Sequence, residues 1–193
     1  RTLSKPNYAA TYGDYPGERF PIMAFEQYGD MDPVFLRQSV EYRGPQQPGS
    51  IVIDPHSRHL YYVESPGVAT RYGVGVGREG FLWAGEAKIK YKRDWPDWVP
   101  PREMIERQPE IREKLEPIAN RGLGVPGGPK SPLGARAMYL WDDVKDLGYR
   151  IHGTTEPETI GTNVSSGCIR LINQDIAHLY ARVSQGTPVT VLG

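Results

Sequence analysis

Regular alternation of apolar and polar positions begins at Gly49. Residues 50–55 (SIVIDP) read as a strand, His56 to His59 as a turn and residues 60–65 (LYYVES) as the partner strand, which together predict a hairpin. Further on, Ala87, Ile89 and Tyr91 alternate with Lys88, Lys90 and Lys92, and Ala137, Tyr139 and Trp141 fall on one face of another strand. The run Tyr149-Arg150-Ile151-His152-Gly153 is a strand that delivers His152 at its end. Only one stretch carries a clear helical period: Ile176, Leu179, Tyr180 and Val183 stand at i, i+3, i+4 and i+7. Asn173 reads as the N-cap of that helix, Asp175 as an acidic residue in its first turn and Gly186 as its stop, with His178 off the apolar stripe and in solvent. A closing strand follows at 187–192. The pattern predicts a mainly β domain, a sandwich or mixed sheet with a few short helices and one C-terminal amphipathic helix.

The flanking segments are less regular. Residues 1–47 are rich in Tyr, Pro, Gly and charge, and read as an extension wrapped on the domain or partly flexible; Pro33 opens a short helix within Asp32 to Tyr42. Residues 48–193 form the domain itself. Between its strands lies a rigid aromatic loop, Asp94 to Pro101, and then short helices over Glu103–Arg107 and Glu110–Leu115. Trp95 and Trp98 in that loop read equally well as a sugar-stacking surface or as a plug at the edge of the sheet. For Tyr139, core packing is the favoured reading over a place in a substrate channel.

Composition then removes several function classes. The 193 residues balance 23 Lys and Arg against 23 Asp and Glu, so no global field favours nucleic acid or an anionic membrane. No apolar run approaches the ~20 residues that span a bilayer. The chain begins at Arg1 rather than Met, which suggests a processed or truncated product whose lost N-terminus could have carried a signal sequence or an anchor. Gly75-x-Gly77-x-x-Gly80 has the spacing of a dinucleotide loop, but the sequence after it alternates like a strand instead of opening a helix, so no nucleotide is expected. His56 and His59 lack a third ligand at useful spacing, and no metal or organic cofactor is expected.

The chemistry concentrates between His152 and Asn173. A single cysteine, Cys168, excludes an internal disulfide and leaves a candidate nucleophile. A thiol with an ordinary pKa of ~8.5 attacks only as thiolate, and needs an imidazole or a cation nearby to reach that form at neutral pH. His152 lies too far before Cys168 for one helical face, so a loop through Pro157, Gly161 and Asn163 must fold back to bring them together. Gly167 permits a tight backbone approach, so that the Gly167 and Cys168 amides can both face one oxyanion. Arg170 can depress the thiol pKa or hold a substrate carboxylate. On composition alone a lone cysteine is more often a small buried hydrophobe.

The segment IHGT at 151–154, then SSGCIRL at 165–171 with Asn173, resembles the active-site signature of the L,D-transpeptidase (YkuD-type) catalytic domain family. The likeness extends through 48–54, 72–77 and 132–140, and covers about residues 48–192. It implies an L,D-transpeptidase-like fold with the C-terminal helix beside the active-site loop. It also implies Cys168 as the acyl-accepting nucleophile, His152 as general base and the Gly153 carbonyl as the group that orients its ring. Substrate contacts would come from Arg170, Ser165, Ser166, Thr154, Tyr139 and Trp83. The chain departs from the commonest pattern at Ser166, where many members carry a histidine, at 81–85 (FLWAG), and at Ser131, which bears on substrate fit more than on chemistry.

By this resemblance the substrate is the peptidoglycan tetrapeptide stem, located in the cell envelope or periplasm, and the family's sensitivity to carbapenems extends to the chain. Cys168 would release the terminal D-alanine and pass the acyl group to an amine, either of a second stem in a 3-3 crosslink or of an outer-membrane protein; water in that role gives a carboxypeptidase. Two other readings remain: a non-catalytic wall-binding module, and a papain-like thiol hydrolase, whose cysteine and histidine run in the reverse order.

Overall fold

A computed structural model describes residues 11–193 apart from Asp14, Pro16, 79–82 and 166–167. The chain runs β1 (Gln38–Glu41), β2 (Ile51–Asp54), β3 (His59–Ser65), β4 (Val68–Gly73), β5 (Val76–Gly77), β6 (Gly85–Asp94), α1 (Arg102–Arg107), β7 (Glu116–Ile118), β8 (Gly122–Gly124), β9 (Arg136–Trp141), β10 (Asp146–His152), β11 (Asn163–Ser165), β12 (Ile169–Arg170), α2 (Asn173–Arg182) and β13 (Pro188–Val191). Among the described residues, nine of these strands form one sheet in the order β1-β4-β3-β2-β13-β6-β9-β10-β12. It is a mixed sheet: β2 with β13 and β10 with β12 are parallel, and the other neighbours are antiparallel. Short pairs β5–β11 and β7–β8 stand beside it. No helix of the described residues is long and apolar enough to cross a membrane.

The hydrophobic periods build the core they predict. Ile176, Leu179 and Val183 of α2 pack with Met138, Leu140 and Ile151 of the sheet, and all six are buried. On β6 the alternation buries Ala87 and Ile89, but a β-bulge between Ile89 and Tyr91 resets the strand. Tyr91 therefore turns outward, 38% exposed. Lys92 takes the inner side, where its ammonium donates to the Tyr180 and Val183 carbonyls at the end of α2, at 2.8 and 2.5 Å. A cation there complements the negative end of the helix dipole.

The helix expected within Asp32 to Tyr42 is confined to one 3₁₀ turn, Pro33–Phe35, capped by Asp32, which accepts from the Val34 amide at 3.0 Å. Gln38–Glu41 is instead an edge strand on β4, because pairing there buries Val40 while the turn has no further apolar face to cover. Residues before it are tied to the first turn of α2. The Tyr12 hydroxyl donates to Asp175 at 3.2 Å, the Arg37 guanidinium donates to the same carboxylate at 3.2 Å, and the Tyr28 hydroxyl donates to Gln174 at 2.7 Å. Glu18 accepts from both terminal nitrogens of Arg136, at 2.8 and 2.7 Å, and from the Trp95 indole at 3.0 Å.

Two histidines differ from the sequence reading. His59 is buried at the start of β3, with Nε2 2.7 Å from the Val34 carbonyl, because the turn before it ends one residue early. His178 is not in solvent: its Nδ1 lies 2.6 Å from the buried Tyr72 hydroxyl, and burial pushes its pKa down to about 3.

Asp175 is fully buried, and desolvation raises its carboxyl to about 7 against the opposing pull of Arg37 and Tyr12. Replacing Arg37 by Ala strands that group without its cation, and such losses cost about 3 kcal/mol or more. Urea unfolding of Arg37→Ala at pH 8 is expected to show that loss. A change below about 1 kcal/mol would mean that the pair does not anchor the segment.

Candidate active site

The site is built by the parallel register of β10 and β12. Ile151 stands opposite Ile169 and His152 opposite Arg170. Side chains alternate along each strand, so Arg150 and His152 of β10 share a face with Arg170 and with Cys168, one position before β12. The Arg150 backbone N–H donates to the Cys168 sulfur. His152 is then the diagonal neighbour of Cys168, with α-carbons roughly 7–8 Å apart, within reach for a thiol and an imidazole. β12 is held on its other side by Gly75: each of Gly75 and Arg170 donates its amide to the other's carbonyl at 2.9 Å. A Cβ at Gly75 would meet the Thr159 carbonyl at 2.7 Å, so this glycine serves close packing of two backbones. Gly75 and Gly77 thus lie in paired backbone, as the alternation predicted.

These residues floor a cleft of about 470 Å³. Tyr139, Arg150, His152, Cys168 and Arg170 line it, together with Trp98, Val99, Met104, Arg107 and Arg121. The Trp98 loop is fixed by a two-way amide bridge to Val125 at 2.8 Å. Arg107, Arg121, Arg150 and Arg170 face a single carboxylate among the lining residues, Asp97, which accepts from the Gly127 amide at 2.8 Å. The cleft is therefore cationic and suits an anionic ligand.

His152 is 5% exposed, and its Nδ1 lies 2.5 Å from the Gly153 carbonyl oxygen. A carbonyl only accepts, so Nδ1 carries the proton and Nε2 holds the basic lone pair. Burial drives the imidazole pKa down to about 4; the Gly153 hydrogen bond opposes this, and Arg170 and Arg150 add to it. Burial also raises the Cys168 thiol, against the Arg150 amide and the Arg150 and Arg170 charges. At neutral pH the resting pair is a neutral imidazole beside a neutral thiol.

Asn173 has a role the sequence did not show. Ile172 occupies the cap position of α2 without a side-chain cap bond, and the Asn173 Oδ1 accepts instead from the Ala135 amide at 2.9 Å. The same oxygen fills the space where a Cβ on Gly153 or on Gly134 would stand, and Gly134 adopts φ 64°. Two glycines and one carboxamide thus lock β9, the end of β10 and α2 together at the carbonyl facing His152.

Other candidates fall elsewhere. Tyr139 lines the cleft, half-buried, with the Arg150 guanidinium 4.7 Å above its ring, because its strand turns Met138 and Leu140 to the core. Trp98 is on the cleft, whereas Trp95 is 2% exposed in the core. Trp83 stacks on Tyr149 at 5.5 Å, on the face of β10 turned away from the cleft. Thr154 is buried, and its hydroxyl accepts from the Glu156 amide at 2.9 Å, shaping the turn after His152. Ser165 lies in β11 beside β5, while Ser166 and Gly167 lie outside the described residues. Among the described residues no cluster of three His, Cys, Asp or Glu could hold a metal ion.

The fold is a mostly β one built on a mixed sheet, with His152 and Cys168 lining one cleft, and comparison with known proteins places the chain more closely. Residues 48–191 match the L,D-transpeptidase catalytic domain (YkuD), and the chain belongs to this family. Probable L,D-transpeptidase YbiS of Escherichia coli (strain K12) is 32% identical over 145 residues, 73% of this chain and 43% of its own length. The chain thus spans less than half of that relative. A putative L,D-transpeptidase of Fuscovulum blasticum is 34% identical over 146 residues, 74% of this chain and 68% of its own. Among solved structures, a Brucella melitensis protein described as a probable carnitine operon oxidoreductase is 49% identical, with TM-score 0.55 over 86% of this chain and 98% of that one. An L,D-transpeptidase from Mycobacterium smegmatis, 20% identical, shares the fold with TM-score 0.53 over 75% of this chain and 58% of that one.

The buried neutral histidine sets a pH signature. Its folded pKa lies below the ~6.5 of an unfolded histidine, so the unfolded chain takes the proton first, and the histidine's contribution to stability falls as pH drops from about 6.5 toward 4, whereas the Asp175 carboxyl, raised to about 7, acts in the opposite sense. His178, with its pKa near 3, acts in the same sense as His152. Imidazole nitrogen NMR is expected to show His152 neutral and protonated at Nδ1 down to about pH 4. An imidazolium signal already at pH 6 would contradict the burial argument.

Proposed function

We propose that the chain is a cysteine-dependent L,D-transpeptidase acting on peptidoglycan tetrapeptide stems in the cell envelope. The observation that carries this reading is the short Nδ1 contact of His152 to the Gly153 carbonyl, which leaves Nε2 as base in the cleft that also holds Cys168. Nε2 takes the thiol proton as sulfur attacks the carbonyl joining the third, diamino residue of the stem to its terminal D-alanine. Amides at Gly167 and Cys168 hold the tetrahedral oxyanion, a contribution of about 3 kcal/mol per donor. The C–N bond breaks, D-alanine leaves as its free amine with the proton from the imidazolium, and a thioester remains on Cys168. An incoming amine, deprotonated by His152, takes the acyl group and restores the thiol.

Arg170 sits two positions beyond the sulfur on the same face and receives the carboxylate of the D-alanine. The acceptor is a second stem or the amine of an outer-membrane protein; with water the enzyme is a carboxypeptidase. The oxidoreductase description of the Brucella protein is not extended to this chain, since the Gly75–Gly77 segment runs in paired strands here.

The test is incubation with a disaccharide-tetrapeptide and mass analysis for lost D-alanine and for dimers. Cys168→Ala is expected to abolish turnover, and His152→Ala to lower kcat by about 10²–10⁴. Arg170→Gln is expected to act on KM more than on kcat. Turnover by the Cys168→Ala protein would overturn the reading.

A further inference from the structure

The bulge in β6 has a consequence for what else the cleft can hold. It turns Tyr91 to the same side of the sheet as its register partner Tyr139, which lines the cleft. The Trp141 ring meets Tyr91 edge to face at 5.8 Å, and two flexible cations stand over the Tyr91 ring, Arg93 at 5.0 Å and Lys90 at 6.0 Å, with Lys90 also 5.7 Å from the Trp141 ring. A hollow of about 480 Å³ lies there, lined by Arg19, Tyr91, Arg93, Asp94 and Trp95 among others. It shares Asp97, Arg121 and Tyr139 with the cleft, so the two are adjacent. Bulges commonly re-aim a side chain beside an active site.

We infer that this aromatic platform, centred on Tyr91, is a saccharide subsite that holds the amino sugar from which the stem hangs. The inference rests on the proposed placing of the stem, with its terminal carboxylate at Arg170. From β12 the sheet continues to β10, β9 and β6, three strand steps, or roughly 14 Å at the usual spacing. Arg170 marks the outer end of that line, so the acyl part of the stem runs inward over Arg150 and Tyr139 toward Tyr91.

The three stem residues on the acyl side of the scissile bond extend about 10 Å. The γ-linkage of the second residue and the lactyl bridge carry the sugar a few ångströms further, which brings it over Tyr91. The hollow suits a pyranose chemically. A sugar offers an apolar ring face to the tyrosine, and hydroxyl and amide groups that need both donors, from Arg19, Arg93 and Arg121, and acceptors, from Asp94 and Asp97. A purely anionic ligand would meet those two carboxylates without benefit.

The experiment compares kcat/KM for the disaccharide-tetrapeptide with that for the free tetrapeptide. The wild-type ratio is expected to be about ten, the scale of one good aromatic contact. Tyr91→Ala is expected to bring the ratio close to one, through KM, and Tyr91→Phe to keep it. A wild-type ratio of one, or a ratio that survives Tyr91→Ala, overturns the subsite. Failure of wild type to turn over either substrate strikes at the proposed transpeptidation instead. In that event calorimetry on the Cys168→Ala protein decides the subsite: tighter binding of the disaccharide form, lost when Tyr91→Ala is added, supports it, and equal affinity for the two ligands refutes it.

Discussion

The site depends on the parallel pairing of two short strands. β12 is only two residues long, yet its register against β10 decides that Cys168, Arg170, Arg150 and His152 share one face. A slip of one residue would send the sulfur to the core side and Ile169 into the cleft. The pairing is secured from three directions: the Gly75 bridge on one side, the Leu171 amide on the His152 carbonyl at 2.9 Å, and the Asn173 carboxamide wedged against Gly134 and Gly153. α2 continues directly from this junction, and its first turn is tied by Asp175 to Arg37 and Tyr12. Tyr12 and Arg37 are therefore linked to the site through the helix.

Burial at the site has a chemical purpose in the proposed mechanism. A solvated histidine would titrate near neutrality, whereas desolvation and two nearby guanidiniums keep His152 neutral and able to accept a proton across the working range. The same desolvation holds the resting thiol protonated, so the nucleophile is generated when substrate excludes water and positions its carbonyl. In that mechanism the arginines serve two ends: their charges depress the thiol against burial, and they are the proposed seat of the carboxylates of a stem peptide.

Much of this was legible in the chain. The mostly β mixed fold and the amphipathic helix followed from periods of two and 3.6 and from the family motif, which also put His152 and Cys168 at one site; both line the same cleft. What could not be read was set by register rather than by composition. Arg150 becomes a neighbour of Cys168 only through strand pairing, and Asn173 looked like a helix cap because its acceptor oxygen suits that role equally well. Tyr91 belonged to the core by alternation until the bulge after Ile89 reversed it. Trp83 was drawn toward the site by its place in the family pattern, but the ring it stacks on, Tyr149, faces the other way. His59 was placed in a turn and His178 in solvent because their partners, the Val34 carbonyl and the buried Tyr72 hydroxyl, are distant along the chain.

The central claim is that one sulfur carries the acyl group between donor and acceptor. It is tested most directly by acid-quenching the protein within one turnover of a tetrapeptide and mapping the adduct by mass. The account predicts a tripeptidyl thioester on the peptide containing Cys168, formed in step with released D-alanine. Release of D-alanine with no adduct, or with the adduct on another residue, would contradict it.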